Sequence, residues 1–246
     1  ILMQGTGLGF SVESEFVGQL PRIKRQKKDQ QPETYVVQDS TEGWCNSLTA
    51  GLTAWFDGRD IEYDYSEVRP EGARLHTKGG TASGPGPLRR LHEFARKKIL
   101  SRQKSRLLPI DVHDIMCLIG DIVQVGGVRR AACISLSDLD DMEMRLAKHG
   151  AFWNDPDKRQ RTMSNNSAVY EEKPSPEVFM REWLALIESK SGERGIYNRG
   201  GLWKQIPERR RATLKAKYGH QSNLLGINPC GEIILSWLGQ FCNLSI

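Results

Sequence analysis

The residues best suited to chemistry lie near the C-terminal end, in Asn228-Pro229-Cys230-Gly231-Glu232-Ile233. Pro229 has no backbone N–H and Gly231 resists helix, so the run is expected to be extended or looped. In an extended chain alternate side chains share a face. Asn228, Cys230 and Glu232 would then project together, roughly 6.5 Å between successive members. An amide, a thiol and a carboxylate would line one small substrate. A thiol can give or take a hydrogen atom, a carboxylate can take a proton, and an amide can hold hydroxyl groups. The competing reading is a turn with a packed cysteine, because free cysteine is among the most buried residue types. A cysteine nucleophile with a histidine base is a further alternative. The nearest histidine is His220, and no triad pattern accompanies it.

Patterned segments must position this run. Gly5–Glu13 (GTGLGFSVE) is a glycine-rich turn leading into a strand; its GxGxG spacing, with no helix pattern after it, is not a dinucleotide fingerprint. Residues 18–33 read as loop and Tyr35–Val37 as a short strand. A helix opens after Asp39-Ser40, either of which can cap it, with Leu48, Leu52, Trp55 and Phe56 at helical spacing. Ile61–Tyr65 alternates as a strand does, and residues 69–87 are mostly loop. Helices are predicted over Leu88–Leu100, from after Pro109, near Asp111, to Gly126-Gly127, and from Pro176 to about Ser189. Ser137 and Asp140 resemble a capping box for a helix to about Lys148. Ala131–Leu136 and Ser164–Tyr170 read as strands, and residues 192–199 as a loop and strand. From about residue 80 strands alternate with helices, which predicts a parallel α/β construction.

Composition bounds the reading. A chain of 246 residues with 38% hydrophobic and 26% charged content suits a globular protein of one or two domains. There is no apolar run of membrane-spanning length and no secretory pattern at the start. Cys45, Cys117, Cys133, Cys230 and Cys242 show no zinc-type spacing and no CxxC. This usage predicts a reducing, cytoplasmic setting. Net charge is +5, with basic runs at Arg22–Lys28 and Arg209–Lys217. No aromatic residues interleave with them, so solvated surface is expected rather than a nucleic-acid platform. Cys45, Cys117 and Cys133 are expected to be packing residues. The opening Leu2-Met3-Gln4-Gly5 and the closing Leu244-Ser245-Ile246 read as the interior of a longer protein.

Several runs, taken together and in order, resemble one family. They are GTGLGFSVE (5–13), DSTEGW (39–44), RPEGARLHTKGGTASGP (69–85), GGVRRAACISLSDLDDMEM (126–144), SNNSAVYEEKP (164–174), SGERGIYNR (191–199), NPCGEI (228–233) and CNLS (242–245). The resemblance is to the class II, adenosylcobalamin-dependent ribonucleoside-triphosphate reductases of the monomeric type. It implies an α/β fold: the first half of a ten-stranded barrel with an effector-binding insertion and a finger loop. Residues 1–13 would begin the half-barrel and residues 14–66 would form the insertion. Residues 67–246 would complete it, with the finger loop at about 226–236. Dimeric or diphosphate-using reductases, or an inactive nucleotide-binding module, are the rival readings.

The resemblance also implies roles. Adenosylcobalamin would be the source of a thiyl radical on Cys230, which takes the 3′-hydrogen of the ribose. Glu232 would accept the 3′-hydroxyl proton, and Asn228 would hold the ribose hydroxyls. Cys242 would belong to the reducing cysteine pair, its partner lying upstream of residue 1, with a thioredoxin-type reductant restoring it. Cobalamin-binding segments would follow residue 246. Asp39 and Ser40 would contact a deoxynucleoside triphosphate effector. Gly126, Gly127, Arg129 and Arg130 would form the loop between effector and substrate base, where arginines can donate to phosphate or base acceptors.

Overall fold

The computed structural model describes residues 1–2, 5–27, 30–75, 80–125, 132–219, 225–236 and 240–243. In chain order its elements are β1 (Thr6–Ser11), α1 (Ser14–Val17), β2 (Glu33–Val36), α2 (Thr41–Phe56), β3 (Ile61–Asp64), α3 (Gly86–Ser101), α4 (Pro109–Val125), β4 (Ala132–Ser137), α5 (Met142–Arg145), β5 (Ser164–Val169), α6 (Pro176–Ser189), β6 (Gly195–Tyr197), α7 (Leu202–Gln205), α8 (Glu208–Tyr218), β7 (Leu225–Ile227), β8 (Ile234–Ser236) and β9 (Cys242–Asn243). They fall into two compact units, residues 15–130 and residues 1–14 with 131–246.

The second of these units is built on a five-stranded sheet, in the order β6-β5-β4-β1-β9. β1, β4, β5 and β6 run parallel, and β9 pairs antiparallel with β1. The parallel α/β expectation therefore holds. Its reason is local: β4 is a run of buried side chains, the pattern of a strand covered on both faces. Ile134, Leu136, Val169, Tyr197, Leu202, Leu225 and Ile227 form one apolar core.

Buried ion pairs lock the strand ends. Arg199, after β6, meets Glu13, after β1, through both carboxylate oxygens, and Glu171 at 2.6 Å. Arg194 donates to Glu182 (3.0 Å), to the Ser137 hydroxyl (3.0 Å) and to the carbonyls of Asp138 and Leu139. Glu182 also takes Arg145. Glu193 takes Lys148 at 2.9 Å and the Asn166 N–H. Each of these buried charges thus has an opposite charge and hydrogen bonds, the condition under which burial is tolerated.

One local expectation is corrected here. Ser137 ends β4 and binds Arg194 instead of capping a helix. The cap of the short α5 is Asp141, whose Oδ1 accepts from the Met144 N–H at 2.9 Å.

The unit of residues 15–130 holds the parallel pair β2–β3 and the helices α2, α3 and α4. The stretch expected as an insertion, residues 14–66, shares its core with α3 and α4. Trp55 of α2 packs with Ala95 and Ile99 of α3 and Ile115 of α4. Val37 packs with Leu88, Leu91 and Leu118. The compact unit consequently runs on to residue 130.

His92 lies buried in this core. Tyr63 stacks on it at 3.9 Å, and Ser47 Oγ and Tyr65 Oη reach its two nitrogens at 3.1 and 2.8 Å. Burial pulls its imidazole down to about 4, against about 6.5 in an unfolded chain. Between those values the unfolded state binds more protons, so stability rises with pH there. The contribution is full above about 6.5, declines on acidification and levels off below about 4. Its size is up to about 3 kcal/mol. Urea unfolding of the chain is expected to lose free energy more steeply between roughly pH 6.5 and 4.5 than unfolding of His92→Gln. Parallel curves for the two proteins would dismiss this role.

Candidate active site

The run Asn228–Ile233 joins β7 to β8, which pair antiparallel in the register Leu225↔Ser236, Gly226↔Leu235 and Ile227↔Ile234. Leu225, Ile227 and Leu235 are buried, so the hairpin stem is pinned by its apolar side chains. The Tyr197 hydroxyl adds a 2.9 Å bond to the Leu225 carbonyl, and the Tyr218 and Ser236 hydroxyls lie 2.7 Å apart.

The connection itself is a turn: of the two conformations expected from sequence, extended or looped, the looped one is present, and the side-chain alternation of an extended run is not. Gly231 N–H donates to the Asn228 carbonyl at 3.0 Å, and Gly231 takes φ +84°. Asn228 N–H donates to the Ile233 carbonyl at 3.1 Å, and Ile233 N–H returns to Asn228 Oδ1 at 2.9 Å. The asparagine side chain supplies the acceptor that a continuing strand would have supplied.

The three predicted residues are therefore not presented alike. Asn228 is fully buried, and its Nδ2 donates to Glu232 Oε1 at 2.7 Å. The amide and the acid meet directly, which fixes the carboxylate and leaves Oε2 to accept. Cys230 stands exposed at the tip and Glu232 is exposed beside it. The packed-cysteine alternative fails for Cys230.

The sheet carries the loop at positions that sequence reasoning did not single out. Gly7 and Gly9 lie on one face of β1. A Cβ on Gly9 would meet the Ile227 carbonyl oxygen at 2.2 Å. A Cβ on Gly7 would meet Cys242 Sγ at 2.3 Å and Pro229 Cδ at 3.0 Å. On β5, Asn165 Nδ2 donates to the Pro229 carbonyl at 2.8 Å. The available signal was the two-residue spacing of glycines within a strand, the mark of a close backbone approach.

Cys242 is buried on β9 with its sulfur over Gly7, the residue it pairs with. It is a free thiol, as are the other four cysteines. Cys117 and Cys133 are buried, as expected of packing residues, and burial pushes the Cys133 thiol up to about 11. Cys45 departs from that expectation: it lies exposed on α2.

In the other unit, Ser40 caps α2 by accepting the Gly43 N–H at 2.9 Å. Asp39 accepts from Arg69 Nε at 2.5 Å. Both therefore have partners within their own unit. Gly126, Gly127, Arg129 and Arg130 lie outside the described residues. Among the described residues no helix is long and apolar enough to cross a membrane, and no His, Cys, Asp and Glu cluster could hold a metal ion.

Comparison with known proteins agrees along the chain. Residues 11–96 match the family model described as the insertion domain of B12-dependent ribonucleotide reductase. The adenosylcobalamin-dependent ribonucleoside-triphosphate reductase of Lacticaseibacillus paracasei is 29% identical over 99% of this chain and 36% of its own length. That of Lactobacillus leichmannii is 32% identical over the same shares, and that of Euglena gracilis 33% identical over 68% of this chain and 22% of its own. A crystal structure of B12-dependent (class II) ribonucleotide reductase superposes on 96% of the chain and 35% of that structure, with a TM-score of 0.70 and 26% identity. With its parallel sheet, its cradled hairpin and these relatives, the chain is a homologue of the class II, adenosylcobalamin-dependent ribonucleoside-triphosphate reductases, spanning about a third of their length.

Proposed function

We propose that this chain supplies the radical-bearing part of an enzyme that reduces ribonucleoside triphosphates to 2′-deoxyribonucleoside triphosphates. In this reading it is the first half of a ten-stranded α/β barrel, with residues 14–66 as the effector-site insertion and about 226–236 as the finger loop. The observation that carries the reading is the cradled turn: an exposed Cys230 thiol beside a Glu232 carboxylate held by Asn228.

The family implies adenosylcobalamin as the cofactor of the whole enzyme, and when bound it supplies the oxidising equivalent. What this chain offers toward it is the accessible Cys230 sulfur; none of the described residues is assigned to holding the cofactor. The Cys230 thiyl takes the 3′-hydrogen of the ribose, re-forming its S–H bond and leaving a carbon radical. Glu232 takes the 3′-hydroxyl proton as the C2′–O bond breaks and the 2′-oxygen leaves as water. Asn228 holds the Glu232 carboxylate, and a bond from its second N–H to a ribose hydroxyl requires the turn to open, because its side chain is buried. Cys242 and a partner thiol elsewhere in the complete enzyme protonate the departing 2′-hydroxyl, give a hydrogen atom to C2′ and pass one electron to the 3′-ketone, whose oxygen regains the proton held by Glu232, and the two sulfurs so become a disulfide. Cys230 then returns its hydrogen to C3′. In sum two thiols become one disulfide, and one C–O bond becomes a C–H bond with release of water.

Regulation in this reading uses a deoxynucleoside triphosphate at Asp39 and Ser40, relayed by Gly126, Gly127, Arg129 and Arg130. The Ser40 hydroxyl hydrogen stays available while its oxygen caps α2, so capping and effector contact are compatible. The complete enzyme is taken as a cytoplasmic monomer recharged by a thioredoxin-type reductant.

Three substitutions in the complete enzyme test the assignment. Cys230→Ser is expected to abolish deoxynucleotide formation, and a normal yield would remove Cys230 from the mechanism. Glu232→Gln keeps a partner for Asn228 but removes the base; its turnover should fall roughly 10²- to 10⁴-fold, the usual worth of a positioned proton acceptor. Cys242→Ser should block repeated turnover with dithiols while radical initiation partly survives. Unimpaired multiple turnover would refute its redox role.

A further inference from the structure

Backbone register places Gly9 of β1, Ile134 of β4 and Asn165 of β5 in one row across the sheet. Side chains paired directly across parallel strands share a face. The row meets the hairpin twice. Its Gly9 end faces the Ile227 carbonyl, which a Cβ there would meet at 2.2 Å. Its Asn165 end donates Nδ2 to the Pro229 carbonyl at 2.8 Å. Asn165 is exposed although it lies within a strand whose following residues, Asn166 to Val169, are all buried. It adds nothing to the apolar core, and its amide is spent on the residue that precedes Cys230.

The two contacts differ in kind. Gly9 and Gly7 only permit the approach, by leaving room. The stem is fixed by buried apolar groups and by Tyr197, but those hold the hairpin at its base. Within the turn, the Asn228 bonds to Glu232, Ile233 and Gly231 are internal and would travel with the loop if it swung. The Asn165 bond joins the tip to the rigid sheet, one residue from the thiol.

We propose that Asn165 is a positioning residue for the reaction, anchoring the Pro229 carbonyl so that Cys230 and Glu232 are presented at a fixed height above the sheet. This rests on the reading of Cys230 as the reacting thiol. A hydrogen-atom transfer needs its atoms at near contact, and a displacement of about 1 Å is enough to cost on the order of 10²-fold in rate.

The test uses the complete reductase with Asn165→Asp, which keeps the shape but cannot donate to a carbonyl, and Asn165→Gln, which keeps an amide donor. Amide hydrogen exchange is followed without cofactor or substrate, and steady-state kinetics with both. Asn165→Asp is expected to raise exchange across residues 228–233 while leaving β4 and β5 protected. It should lower kcat roughly 10- to 100-fold with little change in KM. Asn165→Gln should recover part of both. Wild-type protection of the loop in Asn165→Asp would overturn the proposal, and so would a loosened loop with unchanged kcat. If Asn165→Asp fails to fold, Asn165→Ser is read in the same way. Failure of the parent reading is seen separately, as normal turnover by Cys230→Ser.

Discussion

The hairpin can lie against the sheet only because β1 offers it no side chains at Gly7 and Gly9. A methyl group at either position would sit within 2.3 Å of a heavy atom, far inside contact distance, so the hairpin or the sheet would have to move. At Gly9 the obstacle is the Ile227 backbone carbonyl, which cannot rotate away as a side chain can. At Gly7 the space is shared by the Pro229 ring and the Cys242 sulfur. One missing Cβ thus admits both the loop that carries Cys230 and the strand that carries Cys242. The juxtaposition of these two thiol-bearing segments is a consequence of packing on β1.

A cradle of this kind needs a sheet that does not give. The charges buried at the ends of β1 and β6 supply that stiffness. Glu13 and Arg199 are far apart in sequence and pair directly, so the end of β1 cannot slide relative to β6 without separating a desolvated pair. Breaking such a pair typically costs about 3–5 kcal/mol. Arg194 makes the equivalent tie from β6 to the end of β4. The motifs GFSVE and SGERGIYNR therefore owe their charged residues to scaffolding.

Much of this was legible in the sequence, for identifiable reasons. Serine and proline at helix starts have local physics, so Ser40 and Pro176 gave the beginnings of α2 and α6 without tertiary knowledge. Alternating strands and helices gave the parallel sheet. The failures have identifiable causes as well. Ser137 satisfies a capping pattern but is claimed by Arg194, 57 residues away. Asn228 satisfies an alternation pattern but folds back, because Gly231 offers a positive φ and its own amide closes the turn. Cys45 looks like a packing residue by type and sits on the outward side of its helix. At Ser137 and Cys45 a partner or a face fixed elsewhere in the fold outweighs the local signal, whereas at Asn228 one local signal, the turn at Gly231, outweighs another.

The turn that broke the alternation is also what makes the site chemically sensible. Had Asn228, Cys230 and Glu232 projected from one strand face, three polar groups would have stood in solvent about 6.5 Å apart, each free to rotate. Turning the chain at Gly231 buries Asn228 and directs its amide onto Glu232. The acid thereby loses rotamer freedom within the turn itself, and the thiol two residues earlier is left exposed at the apex. Order in the acid and access at the sulfur come from the same backbone reversal. In the proposed reaction, a proton acceptor fixed in advance adds no ordering cost at the moment of reaction, which is the condition under which positioned groups contribute most to rate.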